Sequence, residues 1–443
     1  MINIEDEEKR KTTALLVGKP GEDLSELKGL SDTLGLEVLR LMNLTRVEVT
    51  PAYGMGKGKA EEISALAQEL GADIIIFDWI LEPRKQRNWE KLSKRPCIDR
   101  QEVILRIFSQ RAKTKEAVLQ VQLARLEYSL PRLAHSYGDM ARQRGGNFGA
   151  KGSGETQLEL DSREVRDKIT RIKRELKDVV QERQTQQKKR RSLPIPQVAL
   201  AGYTNAGKSS LMNALTGSDV FVEDKLFATL DPTTRKLRLK TKSEDSGSNI
   251  LLTDTVGFIS NLPHSLVNAF KSTLEEAQKA DLILLVLDAS DINAESEYKT
   301  VIKVLEEIGA DKNPRVVVLN KIDKLEDNDP RLTGLSKLFP DCVKISAKTG
   351  AGIQELSCRI TQEIMGKETE LTIPVEESAL IAQIRKTGIL LEENWLEDGI
   401  HIKIQGLELK GNLRLKNLLK PFLPEIFSDD TDEKEKKSFR ADW

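Results

Sequence analysis

Cysteine and long apolar runs are both scarce in this chain of 443 residues. Its three cysteines, Cys97, Cys342 and Cys358, share no metal-ligand or redox spacing, and their odd number argues against a disulfide framework. No apolar run approaches the roughly 18 residues that a membrane-spanning helix requires, and the charged segment 1–11 differs from a secretion signal. We therefore expect a cytoplasmic protein without membrane insertion.

Charge is abundant but unevenly distributed. The chain carries 69 basic and 70 acidic residues, for a formal net charge of −1. Residues 84–191 contain 28 Lys and Arg but only 14 Asp and Glu, a local net charge of +14, which leaves −15 for the rest of the chain. A basic block on an acidic protein is typical of a segment that binds a polyanion. Solvated charged helices would give the same count, so that alternative stays open.

The length suggests about three domains, and local patterns help to divide them. In residues 1–100, short apolar runs alternate with helical patterns, which predicts a small α/β domain with a mostly parallel sheet. Residues 370–427 indicate a second small α/β domain at the other end. The polar, charge-dense segment 428–443 is typical of a disordered tail.

A projecting helical arm is predicted for residues 101–192. A long helix begins at Gln101, and its apolar seam advances in steps of four, three and four residues: Leu119, Leu123, Leu126 and Leu130. Five glycines in segment 145–154 interrupt the helix, since each costs about 1 kcal/mol relative to alanine. A second seam follows at Val165, Ile169, Ile172, Leu176 and Val179. Together the two seams predict an antiparallel hairpin, about 45 Å long, with the glycine-rich loop at its tip.

A phosphate-binding loop is indicated between an apolar strand pattern and a helix pattern. Backbone N–H groups of such a loop surround a phosphate, and the following helix N-terminus adds its positive end. Lys208 is expected to contact the β- and γ-phosphates, and Ser209 to hold Mg²⁺ through its hydroxyl. A glycine-containing turn before an ordinary helix is the alternative. The predicted binding residues are Gly202, Tyr203, Thr204, Asn205, Ala206, Gly207, Lys208 and Ser209.

Two further motifs favour guanine over adenine. The first, Asn320-Lys321-Ile322-Asp323, follows a strand pattern, which would place it at the carboxyl edge of the sheet. The Asp323 carboxylate can accept from N1–H and the exocyclic amine of guanine, a pair of donors that adenine lacks. The second, Ser346-Ala347-Lys348, follows another strand and can donate a backbone N–H to the guanine carbonyl. Taken alone, the first motif is also compatible with a strand-end turn.

Two loops are predicted to respond to the γ-phosphate. Asp254-Thr255-Val256-Gly257 ends a strand pattern, and we expect Asp254 near Mg²⁺ and the Gly257 amide at the γ-phosphate. The segment Phe227-Ala228-Thr229-Leu230-Asp231 precedes it. One threonine of this region should bind Mg²⁺ and the γ-phosphate, with Thr229 as the first choice and Thr233 as the second. Loops that order only around a triphosphate form a nucleotide switch.

The residue after Gly257 is unusual for a hydrolase of this kind. GTPases that position water with a glutamine place it there, but this chain has Phe258. A phenyl ring neither accepts nor donates a proton, so hydrolysis should be slow without a partner or a rearrangement that orients water. The catalytic residue therefore stays unassigned.

Taken together, these features resemble the HflX-type translational GTPases. The resemblance rests on segment 145–158 with its Gly154-Glu155-Thr156-Gln157 ending, on A-x-x-x-E-A-x-L-Q-V-x-L-A at 112–124 and L-P-R-L at 130–133, and on segments 202–205 and 227–234. Membership would imply GTP hydrolysis and binding to the 50S ribosomal subunit. It would also imply a hairpin directed toward 23S rRNA near the peptidyl-transferase centre, and splitting or rescue of ribosomes under stress.

Two segments depart from the family pattern: Ser153 stands where the family usually has proline, and residues 81–88 are less regular. The resulting hypothesis is a monomeric, multidomain α/β protein that binds GTP or GDP with Mg²⁺. It combines an N-terminal α/β domain, the basic hairpin, a Ras-like P-loop GTPase domain at 197–366 and a small C-terminal α/β domain. The alternatives are a GTPase of RNA modification or ribosome assembly, or an RNA-binding protein that nucleotide merely stabilises.

Overall fold

The structure is a computed structural model that describes residues 10–46, 50–136, 154–191, 195–217, 226–227, 230–240, 247–260, 276–326, 329–366, 368–387, 390–396, 398–406 and 417–422. These residues form two α/β units with mainly parallel sheets, a helical arm and a small antiparallel sheet with one helix. The predicted multidomain α/β class is therefore confirmed. The unit in which the GTPase domain is predicted is called the GTPase unit below. The domain boundaries stay predictions.

The N-terminal unit is a four-stranded parallel sheet in the order β2-β1-β3-β4. All residues of the central strands β1 and β3 are buried, because helices cover both faces of a parallel sheet. The strands are β1 (Thr13–Gly18), β2 (Glu37–Asn43), β3 (Ile74–Phe77) and β4 (Cys97–Asp99). The helices are α1 (Ser25–Thr33), α2 (Lys57–Glu69), α3 (Pro83–Ser93) and α4 (Arg100–Arg111).

The arm consists of α5 (Lys115–Ser136) and α6 (Gly154–Arg191). Glu116 pairs with Arg183 and Glu127 with Lys173, so the two helices run antiparallel as predicted. The tip segment 145–153 lies outside the described residues.

The prediction of one long helix from Gln101 is wrong. Helix α4 ends at Arg111, because Ala112 adopts an extended conformation with ψ 121°. Helix α5 then starts at Thr114, whose hydroxyl accepts a hydrogen bond from the Ala117 N–H at 3.2 Å, as an N-cap does. We call residues 112–114 the elbow.

The GTPase unit is a six-stranded sheet in the order β10-β9-β8-β5-β7-β6, in which only β6 and β7 pair antiparallel. This is the Ras-like order, and it brings the carboxyl ends of β5, β7, β8 and β9 to one edge, where such sheets bind ligands. The strands are β5 (Gln197–Gly202), β6 (Thr233–Lys240), β7 (Gly247–Asp254), β8 (Leu282–Asp288), β9 (Arg315–Asn320) and β10 (Val343–Lys344). The helices are α7 (Lys208–Thr216), α8 (Ala294–Glu307), α9 (Pro330–Leu338) and α10 (Ile353–Met365).

The C-terminal unit is a three-stranded antiparallel sheet, β11-β13-β12, covered by one helix. Its elements are β11 (Thr369–Ile373), α11 (Ser378–Thr387), β12 (Leu390–Leu396) and β13 (Gly399–Ile404). Alternation of buried and exposed residues along β11 matches a sheet with one face against a core. The predicted tail, 428–443, lies outside the described residues.

Candidate nucleotide-binding site

The phosphate loop connects the buried end of β5 to the start of α7. Gly207 has φ +90°, and a Cβ there would lie 2.3 Å from Asn320 Nδ2, so only glycine fits. The Lys208 ammonium donates to the carbonyls of Gly202 at 3.1 Å and Tyr203 at 2.8 Å. Burial lowers the pKa of Lys208 to about 8. An anionic phosphate would favour the charged form and raise that pKa again.

The second phosphate-sensing motif lies directly beside this loop. The Ser209 hydroxyl donates to Asp254 Oδ2 at 2.6 Å, and Asp254 is fully buried. Thr233, the second choice for a Mg²⁺ ligand, lies opposite Asp254 in the β6–β7 ladder. The first choice, Thr229, and its neighbour Ala228 lie outside the described residues.

These oxygen donors suit Mg²⁺, which typically takes one or two protein ligands and completes its shell with phosphates and water. Across the described part of the chain, no group of three or more His, Cys, Asp or Glu residues forms a metal site. A metal that shares its shell with nucleotide phosphates does not need such a group.

The guanine-recognition motifs are joined by one asparagine. Asn320 donates through Nδ2 to the Ala206 carbonyl at 2.9 Å and accepts from the Ala347 N–H at 3.0 Å. Asp323 accepts from the Ser346 hydroxyl at 2.6 Å, which orients its carboxylate. The phosphate loop, the N-K-I-D motif and the S-A-K motif are therefore brought together, with Ile322 and Lys348 in the same two turns.

Sequence reasoning missed the partner of Lys321, which is Asp288 at the end of β8, 2.8 Å from the ammonium. Asp288 follows an apolar strand at the same sheet edge as Asn320, with which it pairs in the ladder. This position after a buried strand is the signal that could have identified it.

The backbone of Phe258 bonds to the phosphate loop. Its N–H donates to Gly202 O at 3.1 Å, and its carbonyl accepts from the Thr204 N–H at 2.7 Å. A Cβ on Gly257 would lie 2.8 Å from Thr204 Cα, so this approach requires glycine. The Phe258 side chain is buried in the main apolar core, together with Val256. Its role in the structure is therefore packing.

A buried polar network links the site to the N-terminal unit, and no motif predicted it. Arg100, at the start of α4, lies 2.5 Å from the Glu26 carboxylate and 2.8 Å from that of Asp78. It also donates to the carbonyl and hydroxyl of Ser260, three residues after Gly257, at 3.1 Å each. The Tyr203 hydroxyl donates to Glu26 and accepts from the Ser260 N–H at 2.6 Å.

Burial dominates the electrostatics of this network. It raises the pKa of Asp78 even though Arg100 opposes the shift. Burial lowers the pKa of Arg100, but the Glu26 and Asp78 carboxylates outweigh it, and that pKa ends above its usual value. Burial and the nearby Glu26 carboxylate raise the pKa of Tyr203. Arg100 and Tyr203 are therefore held as a cation and a neutral donor.

A cavity of about 610 Å³ lies between α1, the phosphate loop and α8. Its lining is rich in carboxylates from both units: Asp23, Glu26, Asp32, Asp288, Asp291 and Glu297. Burial raises the pKa of Glu297 to about 8, with further contributions from Asp291 and Asp288. Proton binding at Glu297 is thus sensitive to pH near neutrality.

In the first predicted switch segment, Phe227 and Leu230 are buried and Asp231 is half-buried. Phe227 packs edge-to-face on Phe108 of α4, with 4.7 Å between ring centroids. The Asp231 carboxylate, predicted as part of the GTP site, is directed at the elbow instead of the phosphate loop. Thr255, predicted in the second motif, donates to the Leu200 carbonyl at 2.7 Å.

No helix within the described ranges is both long and apolar enough to cross a membrane.

Three family models match consecutive parts of the chain. The model described as "GTP-binding GTPase N-terminal" matches residues 21–109, and "GTP-binding GTPase Middle Region" matches residues 111–190. The model described as "50S ribosome-binding GTPase" matches residues 197–321.

Similar proteins of known family cover most of the chain. GTPase HflX of Caldanaerobacter subterraneus subsp. tengcongensis is 42% identical over 401 residues, which span 89% of this chain and 90% of the relative. GTPase HflX of Escherichia coli K12 is 41% identical over 389 residues, which span 87% and 90%. Among solved structures, a GTP-binding protein of Sulfolobus solfataricus in complex with GDP is 26% identical, with a TM-score of 0.43, covering 80% of this chain and 98% of that chain.

Proposed function

This chain belongs to the HflX family of GTPases, and from that premise we propose that it binds the 50S ribosomal subunit and couples GTP binding and hydrolysis to ribosome splitting, rescue or recycling under stress. The proposed setting is the cytoplasm, the proposed acting unit is a monomer, and the proposed RNA contact is 23S rRNA. Support comes from the family model for 50S ribosome-binding GTPases over residues 197–321.

The observation that carries the proposal is the basic helix α6, whose Arg183 contacts Glu276 of the unit that carries the proposed GTP site. Along residues 160–183 of α6, seven basic side chains are exposed, against four exposed acidic ones. The basic residues are Arg163, Arg166, Lys168, Arg171, Lys173, Arg174 and Lys177. Cations along a helix are suited to contact the phosphates of structured RNA.

In the proposed mechanism, Lys208 contacts the β- and γ-phosphates and the Gly257 N–H meets the γ-phosphate. Ser209 and Thr229 would hold Mg²⁺, which would supply positive charge to neutralise the phosphates. Asp323 and the Ala347 N–H select guanine. Since Phe258 is committed to the core, no side chain at that position can orient water. Turnover is therefore expected to be slow alone and faster on the ribosome.

The test is GTP turnover by the full chain with and without 50S subunits, at two salt concentrations. Stimulation that salt suppresses supports the proposal, because phosphate contacts release counterions. Reversing the exposed charges of Arg166, Arg174 and Lys177 to Glu should lower the salt slope of 50S binding by about two to three units. The matched control reverses three exposed lysines of the GTPase unit, Lys303, Lys312 and Lys337.

Each rival predicts a different result. No stimulation by 50S subunits, with stimulation by a precursor particle, would favour ribosome assembly. An equal decrease in the salt slope of 50S binding in the arm and control variants would refute a specific role for the arm. If Lys208→Ala abolished GTP binding and ribosome splitting persisted, nucleotide would serve only to stabilise an RNA-binding protein.

A further inference from the structure

The elbow between α4 and α5 is bound by a carboxylate that is distant in sequence. Asp231 Oδ2 accepts from the N–H groups of Lys113 at 2.9 Å and Thr114 at 3.1 Å, and Oδ1 accepts from the Thr114 hydroxyl at 2.5 Å. Thr114 is itself the N-cap of α5, since its hydroxyl receives the Ala117 N–H. An anion at a helix N-terminus is also favoured by the helix dipole. Asp231 therefore fixes the start of the arm.

The other end of the same predicted switch segment packs against α4, near the elbow. Phe227 and Phe108 are both buried and meet edge-to-face. In the sequence, Phe227 lies two residues before Thr229 and Asp231 two residues after it. The expected Mg²⁺ ligand is thus flanked on both sides by residues that contact the α4–elbow–α5 connection. If this segment rearranges around a γ-phosphate, as the sequence predicts, the contacts of Phe227 and Asp231 are the ones that it would change.

Movement at the elbow would reach the whole arm. The Tyr128 hydroxyl of α5 donates to Asp99 at 2.9 Å. Arg132 donates to the Leu81 carbonyl at 2.8 Å and to Asp99 at 3.2 Å. These contacts fasten α5 to the N-terminal unit, so the arm and that unit form one body, which Asp231 attaches to the GTPase unit at the elbow.

A second contact lies close to the first. Arg183 of α6 pairs with Glu116, in the first turn of α5, at 3.2 Å and with Glu276 of the GTPase unit at 2.6 Å. Both helices of the arm therefore meet the GTPase unit near the elbow.

We propose that Asp231 couples the nucleotide state to the orientation of the helical arm, by holding the N-cap of α5 in one nucleotide state and releasing it in the other. The inference deepens the proposed function, because it assigns a regulatory contact to the arm that binds the ribosome. The coupling itself does not require the ribosome.

The test is hydrogen exchange of the full chain with Mg²⁺ and saturating GDP or a non-hydrolysable GTP analogue, occupancy being checked with a fluorescent nucleotide. Exchange of amides 113–118 should differ between the two states by about fivefold or more, the lower range of allosteric couplings. In Asp231→Ala, the ratio of exchange rates between the two states should fall toward one. In Thr114→Val it should fall part of the way, because the hydroxyl contact is lost while the Lys113 and Thr114 N–H groups still bond to Oδ2. The double variant should add little to Asp231→Ala, because that change already removes all three contacts.

The matched control is Asp329→Ala. Asp329 caps α9 by accepting from the Arg331 N–H at 2.8 Å, and it does not touch the arm. This variant should keep the nucleotide dependence at 113–118. Equal exchange in both states of the wild type, or an unchanged difference in the Asp231 and Thr114 variants, would overturn the coupling.

A second readout separates this inference from the proposed function. The ratio of 50S affinities with the GTP analogue and with GDP should move toward one in Thr114→Val, and further in Asp231→Ala. Failure of the wild type to bind 50S subunits would refute the proposed function, whereas the exchange result at the elbow would still decide the coupling.

Discussion

Replacing Asp323 with Asn should convert this GTP site into a site for xanthosine triphosphate. Guanine presents N1–H and a C2 amine, and both donate to the carboxylate. Xanthine keeps N1–H but carries a carbonyl at C2, which requires a donor. An asparagine supplies one acceptor and one donor, and the Ser346 hydroxyl, 2.6 Å from Asp323 Oδ1, is placed to orient it.

The size of the effect follows from the one contact that is lost and the donor that is left unpaired. The asparagine keeps an acceptor for N1–H but turns its NH₂ group toward the C2 amine. Losing that hydrogen bond to a charged group costs about 1.5–3 kcal/mol and leaving the donor unsatisfied costs about 1–3 kcal/mol, which together make about 3–6 kcal/mol. At about 1.4 kcal/mol per factor of ten, GTP affinity should fall by about 10²- to 10⁴-fold. Affinity for xanthosine triphosphate should rise in the same variant.

The assay is competition against a fluorescent nucleotide, with Asp329→Asn as the control for the same change outside the pocket. Asp329 caps α9, so its variant should keep GTP affinity within about threefold, as expected for a site without shared partners. If GTP affinity fell less than tenfold in Asp323→Asn, or if affinity for xanthosine triphosphate did not rise, Asp323 would not be the residue that recognises the guanine base.

Three further predictions concern titratable groups. Because burial lowers the pKa of Lys208 to about 8, GTP affinity should fall above that pH and binding should take up a proton, measurable by calorimetry in buffers of different ionisation enthalpy. Burial raises the pKa of Glu297 in the folded protein from the ordinary 4.5 to about 8, so its ionisation opposes folding as pH rises toward 8. The Tm advantage of Glu297→Gln should therefore be larger at pH 8.5 than at pH 5.5. Arg100→Met leaves the buried Asp78 carboxylate without its ion-pair partner and should cost about 3–5 kcal/mol. Since burial raises the pKa of Asp78, urea unfolding should show a smaller loss at pH 5 than at pH 8, and an equal loss would contradict this reasoning.

The nucleotide motifs could be predicted from sequence because each depends on local geometry. Gly207 needs positive φ, Lys208 begins a helix, and Asp323 follows a buried strand. Sheet order then places these segments at one edge, which parallel pairing requires. The contacts around Asn320 follow from that arrangement without any further signal.

The contacts between units could not be predicted in this way. In the sequence, Arg100 does not differ from the other basic residues of its charged segment. In the structure it is only 5% exposed, and it donates a hydrogen bond to Ser260, 160 positions later. Asp231 looks like part of a phosphate-sensing loop, but its carboxylate bonds to Thr114. Such pairs depend on how separate units pack, and hydropathy periodicity carries no information about that.

The relative strength of these two links decides which one the nucleotide can release. The link between units at Ser260 consists of hydrogen bonds to the charged groups of Arg100 and Glu26 in a largely buried environment, where each contributes about 1.5–3 kcal/mol. The bonds of the Asp231 carboxylate are made to Lys113 and Thr114, which are exposed, so solvent screening makes each of them weaker than that. A γ-phosphate that pulls on both switch loops should therefore free the elbow first, while the second loop stays attached to the N-terminal unit. The N-terminal unit and the arm then turn as one body about the remaining Arg100–Ser260 contact, and the Ser260 amide should stay protected from exchange in both nucleotide states.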